Sequence, residues 1–120
     1  MALATPTLNE GEIYIGAIIS ADGTRNHHLI LLPGAAEKLN WKDANTWAES
    51  IGGELPDRVE GALLYAHTKD QFEQDWYWTR EQRAATSYYA WYQSFDYGYQ
   101  NLISKGTQLR ARAVRRLIIE

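Results

Sequence analysis

The residues able to do chemistry fall into three groups. Histidines stand at positions 27, 28 and 67, among carboxylates spread along the chain. Arginines gather near the end, at Arg110, Arg112, Arg115 and Arg116. The third group is aromatic. Of five Trp, eight Tyr and two Phe, ten (Trp76, Tyr77, Trp78, Tyr88, Tyr89, Trp91, Tyr92, Phe95, Tyr97 and Tyr99) fall within residues 76–99.

The first group points away from catalysis and metal binding. His27-His28 are adjacent strand residues facing opposite sides, so they do not share an ion. His67 closes a helix, where a cation is welcome. All three histidines read as structural or surface residues. A hard cation wants six or more oxygens, and no acidic cluster offers them. The chain has no cysteine, which removes disulfides, thiolate metal sites and cysteine nucleophiles. Neither a nucleophile–base signature nor a nucleotide loop occurs. A non-enzymatic chain without metal or cofactor is expected.

The arginines raise the question of nucleic acid. Residues 1–79 carry 5 Lys/Arg against 12 Asp/Glu, and residues 80–120 carry 7 against 3, for a net charge of −3. Nucleic-acid binders usually show a basic domain as well as a basic patch, so this acidic chain argues against one. The arginines are expected to pair with carboxylates elsewhere. The aromatics remain. Each buries about 150–250 Å², and Trp and Tyr need polar partners, so one small core does not easily hide them all. Exposed Tyr and Trp are common anchors of binding surfaces.

Elements must position these groups. The 120 residues suit one domain, and 45% hydrophobic with 22% charged residues reads as globular. No apolar run reaches the roughly 18 residues of a membrane span. Met1-Ala2-Leu3-Ala4-Thr5-Pro6 shows no signal peptide, so the cytoplasm is the expected compartment, with a virion as the alternative. Residues 12–19 and 27–32 form a hairpin around Asp22-Gly23. Asn40 caps a helix from Trp41, with Trp41, Ala44, Trp47, Ala48 and Ile51 as its apolar stripe. Gly52-Gly53 ends it, one glycine being left-handed. Asp57 and Glu60 form a capping box for a second helix over residues 58–67, burying Val59, Leu63 and Leu64. Residues 76–79 read as a strand and residues 80–86 as a loop. Residues 87–95 alternate, with Tyr89, Trp91, Gln93 and Phe95 on one face and Tyr88, Ala90, Tyr92 and Ser94 on the other. Residues 96–106 are a turn-rich excursion, and residues 109–118 a final strand. The order β-β-α-α-β-β-β implies an α+β domain whose terminal strands lie side by side.

Four segments carry a resemblance. Gly52-Gly53-Glu54-Leu55-Pro56-Asp57-Arg58-Val59-Glu60, Tyr77-Trp78-Thr79, Ala90-Trp91-Tyr92-Gln93-Ser94-Phe95-Asp96-Tyr97-Gly98 and Arg110-Ala111-Arg112-Ala113-Val114-Arg115-Arg116 occur in order. Over residues 41–117 the chain resembles the Lcl C-terminal-like domain family, most of all its short phage- and prophage-encoded members. The resemblance implies a C-type-lectin-like fold, related to formylglycine-generating enzymes and to phage receptor-binding domains. It also implies that Glu60, with Asp57 beside it, faces Arg110 or Arg112. Trp91 and Phe95 match family positions and are expected in the core with Trp47 and Trp78. The calcium-dependent sugar motifs of C-type lectins, Glu-Pro-Asn or Gln-Pro-Asp followed by Trp-Asn-Asp, do not occur. Nor is there a cysteine for the copper of the formylglycine-generating relatives.

The expected binding surface is therefore Tyr88, Tyr92, Tyr97 and Tyr99 with Arg80, Arg83 and Gln100. Its partner is expected to be a host protein, met by a free intracellular factor, for example in a defence complex. The alternatives are a virion adhesin or fibre tip recognising a cell-surface glycan or protein, and a degenerate enzyme of the formylglycine-generating type. A homo-oligomer contact and plain packing of the tyrosines compete with the binding reading.

Overall fold

Alternating apolar stretches at both ends of the chain and two capped helices between them build one α+β body. The computed structural model describes residues 4–85 and 87–120. Met1, Ala2 and Leu3, at the start of the expected leaderless N-terminus, lie outside the described residues, as does Thr86, the last residue of the expected loop. The strands are β1 (Ile13–Ile18), β2 (His27–Leu31), β3 (Ala36–Leu39), β4 (Trp76–Gln82), β5 (Tyr89–Ser94), β6 (Gln100–Ser104), β7 (Leu109–Ala111) and β8 (Val114–Ile118). The helices are α1 (Trp41–Ser50) and α2 (Arg58–Thr68). No helix among the described residues is long and apolar enough to cross a membrane.

The strands form two sheets, in the orders β1-β2-β8 and β3-β7-β4-β5-β6. All paired strands are antiparallel except β4 and β7. The C-terminal strand thus joins the N-terminal hairpin through β2 rather than through β1. The expected single strand over residues 109–118 is two strands in two sheets. Its mixed pattern reflects that break: β7 serves one sheet and β8 the other, with Arg112 and Ala113 between. Two further strands, β3 and β6, lie where the sequence offers polar residues and turns. Pairing supplies what their composition does not.

The helix boundaries follow from their caps. Asn40 accepts from the Asp43 amide at 2.8 Å. Asp57 and Glu60 exchange the two bonds of a capping box, each 2.8 Å. Gly52 leaves α1 at φ +88°, a conformation that suits glycine.

Two cores lie on opposite faces of the larger sheet, because neighbouring strand residues point opposite ways. Trp78 enters the cluster under α1, with Ala44, Ala48, Leu55, Ala90 and Tyr92. Its neighbour Tyr77 enters the cluster under α2, with Leu29, Leu31, Leu64, Phe95 and Val114. Trp78 is fully buried and its indole donates to the Leu39 carbonyl at 2.9 Å.

This arrangement corrects three expectations. Tyr92 is not on the surface: it is 4% exposed and stacks on Trp76, ring centroids 4.4 Å apart. Burial and the neighbouring Tyr99 push its phenol up to about 12. Trp91, expected in the core, is half-buried. Val59, expected buried, is 54% exposed. Alternation separates the two faces of β5 but does not say how far each is covered. The α1 core takes Ala90 and Tyr92, while on the other face Gln93 and Phe95 are buried near α2 and Tyr89 and Trp91 are left partly open, as is Val59 on the outer side of α2.

Candidate functional site

The expected tyrosine surface is divided. Tyr88 and Tyr97 are 82% and 81% exposed, and Tyr89 and Tyr99 are 44% and 41% exposed. Tyr88 and Tyr89 stand where β5 begins, whereas Tyr97 and Tyr99 lie in the turn after it ends. At the strand rise the two ends of β5 are roughly 17 Å apart. Arg83 belongs with the first group, its guanidinium 5.9 Å from the Tyr89 ring centre. Arg80 does not: it lies 3.4 Å from Glu54, and its amide donates to the Pro56 carbonyl at 2.9 Å.

Beyond the N-terminus of α2 a ledge forms on the Tyr89 side of the sheet. The Arg58 guanidinium lies 3.5 Å above the centre of the Trp91 ring, within cation–π range. It is held there by Nε donating to Gln100 Oε1 at 3.1 Å. Gln100 Nε2 donates in turn to the Arg58 carbonyl at 2.6 Å and to Gln93 Oε1 at 2.7 Å. Gln93 is anchored on the Ser94 and Gly98 carbonyls at 2.9 and 3.0 Å. Gln100 therefore positions Arg58 rather than presenting itself. A shallow cavity of about 460 Å³ opens beside the ledge, lined by Arg25, Arg58, Val59, Ala62, Glu81 and Gln100.

Tyr89, Trp91, Arg58 and Val59 are the surface residues that sequence reasoning missed. A signal existed. The capping box fixes the phase of α2, and Glu60 with Leu64, one turn on, then marks its buried face. Val59 and Ala62 must turn outward.

Next to the ledge lies a buried ionic network. Glu60 is fully buried and faces Arg116, not Arg110 or Arg112. Arg116 donates from Nε at 2.6 Å and from Nη2 at 2.7 Å, and His27 Nε2 donates at 2.8 Å. Arg116 Nη1 also reaches Glu54 at 2.7 Å, and Arg25 pairs with Asp57. Burial alone would raise the Glu60 pKa; Arg116, the Asp57 amide and His27 outweigh it and hold the carboxyl below its usual range. Burial likewise opposes the charge on Arg116, yet Glu60, Glu54 and Asp57 raise its pKa.

The network flanks a cavity of about 410 Å³ lined by Arg25, His27, Arg80, Arg116 and Ile118 among others. With every Glu60 oxygen engaged, its role is to clamp α2 to β2 and β8. Arg110 instead bridges Glu37 and Asp75 at 3.1 and 3.0 Å. Arg112 donates to the Gln71 and Leu32 carbonyls at 2.7 and 3.0 Å. The strand break at residues 112 and 113 explains the exchange of partners, since of the four only Arg115 and Arg116 lie on the strand beside β2, and Arg115 is taken by Glu12. Trp47 packs half-buried against the α1 core, and Phe95 stacks on Phe72 at 3.9 Å.

No protein-family model matches this chain, and a search of curated proteins returns no match.

Proposed function

We propose that this chain is a non-catalytic binding domain of C-type-lectin-like fold, a phage or prophage product that recognises a host protein. The contact surface is the ledge of Tyr89, Trp91, Arg58 and Val59, with Arg83 at its end. The observation that carries the reading is the stacked Arg58–Trp91 pair. It is held by Gln100, itself anchored on the buried Gln93, yet it borders solvent. Tyr, Trp and Arg are the residues that dominate binding energy when a partner seals them from water, and a preformed surface reduces the entropy lost on association. The intracellular host-protein reading is preferred over the adhesin because the ledge is shallow and carries Arg58 and Arg83, features suited to an acidic protein surface.

The test is affinity capture from host lysate with the wild-type chain and an Arg58→Ala/Tyr89→Ala double variant. A host protein retained by the first and lost by the second supports the proposal. Identical capture by both removes the ledge as the site. Recovery of the chain in purified virions selects the adhesin reading.

A further inference from the structure

The cavity of about 410 Å³ beside the ionic network is walled by arginines from three distant segments. Arg25 comes from the turn before β2, Arg80 from β4 and Arg116 from β8, with His27 between them. No carboxylate among the described residues lines it. The acids that pair with these arginines lie outside: Asp57 and Glu60 are buried at the start of α2, and Glu54 is bridged to Val114.

The three arginines are not equally spent. Every nitrogen of Arg116 donates, to Glu60, Glu54 and the Leu55 carbonyl. Arg25 donates only through Nη2, to Asp57. Arg80 donates only through Nη1, to Glu54 at 3.4 Å, longer than an ordinary hydrogen bond. A guanidinium carries five N–H donors, so Arg25 and Arg80 each keep most of theirs without a protein acceptor. Both side chains are nearly half exposed. Arg110 and Arg115, which lie outside this cavity, each make two carboxylate contacts. The cavity also has an apolar side, where Ile118 is exposed and Ile119 stands next to it.

Three like charges around one space repel. Asp57 and Glu60 offset that from the buried side, and an anion in the cavity offsets it from the open side. Guanidinium forks match the paired oxygens of a carboxylate or a phosphate. We propose that this cavity binds an organic oxyanion, a carboxylate or phosphate carried on an apolar body. Arg25 and Arg80 hold the oxygens, and Ile118 with Ile119 covers the apolar part. The volume lies in the range of small-molecule sites, about 300–1,000 Å³, and exceeds what a bare ion fills. Glu54 is the internal competitor, since it bridges Arg80 and Arg116. The ligand takes Arg80 from it, while Arg116 stays on Glu60. The bound oxyanion then ties the β1–β2 turn of one sheet to β4 of the other. Arg58, Val59, Tyr89 and Trp91 line no part of this cavity, so it is a site apart from the ledge.

Titration of the full chain with phenyl phosphate and with phenylacetate at fixed ionic strength, followed through the arginine Nε–Hε resonances, tests this. Saturable shifts are expected at Arg25 and Arg80, and none at Arg83 or Arg110. The tighter of the two anions identifies the headgroup. The same headgroup without the ring, inorganic phosphate or acetate, is expected to bind roughly fivefold more weakly because it leaves Ile118 uncovered. Arg80→Gln is expected to weaken the tighter anion about tenfold, the size of a charge-assisted hydrogen bond. Glu54→Gln removes the competitor and is expected to tighten it roughly two- to fivefold, the size of an exposed ion pair. A gain of affinity cannot come from loss of fold. The Arg58→Ala/Tyr89→Ala double variant is expected to bind both anions as the wild type does, which separates this site from host-protein capture. No saturation by either anion, equal shifts at all arginines, a bare headgroup that binds as tightly, or an Arg80→Gln variant that binds like the wild type overturns the proposal.

Discussion

Glu60 accepts from Arg116, His27 and the Asp57 amide at once. Such a group is costly to bury and costlier to leave half-paired. Replacing it with Gln keeps the shape but leaves Arg116 short of a counter-charge in a buried site. Glu60→Gln is expected to cost about 3 kcal/mol, read as a lower urea midpoint with an unchanged slope. Loss of less than about 0.5 kcal/mol, the range of ordinary surface changes, would remove the clamp role. The sequence, through the family resemblance it carries, implied an acid–arginine pair at this helix, with Arg110 or Arg112 as the partner. It did not show that Arg116 takes that place, since that depends on where the arginine-rich segment changes sheet.

At the scale of elements, caps and stops are local and so were readable. Asn40, Asp57 and Gly52 act within a few residues of themselves. Gly53 is different. A Cβ there would lie 2.6 Å from both the Leu32 Cδ1 and the Val114 carbonyl oxygen, where α1 exits against β8. At Gly52 a Cβ meets nothing within 4 Å, and only the positive φ resists substitution. Gly53→Ala is therefore expected to cost about 2 kcal/mol or more by overpacking, against about 1 kcal/mol for Gly52→Ala. Equilibrium denaturation of both variants orders them; the reverse order would contradict the packing described. The faces of β5 were misassigned for a related reason. Alternation reveals two faces, but β5 carries aromatic residues on both, so no polar face marks the outside.

At the scale of the molecule, ion pairs join segments far apart in sequence. Arg115 grips Glu12 through two bonds of 2.8 Å across 103 residues, and Arg116 ties β8 to α2. Arg115 holds the Glu12 carboxyl down from 4.5 to about 2. Its folded pKa is below the unfolded one, so its contribution is complete above pH 4.5 and fades as pH falls through about 2. Stability is expected to fall across that window, and Glu12→Gln to flatten the fall. A variant as acid-sensitive as the wild type would contradict the Glu12–Arg115 tie. By itself the sequence determined what is local: the hairpin, both helices with their caps, the α+β class and an aromatic excess beyond one core's capacity. Only the tertiary structure decided which arginine meets Glu60, which tyrosines face water and which strands end as edges. Those outcomes depend on strands meeting across the chain, and neither composition nor periodicity records the partner a strand will find.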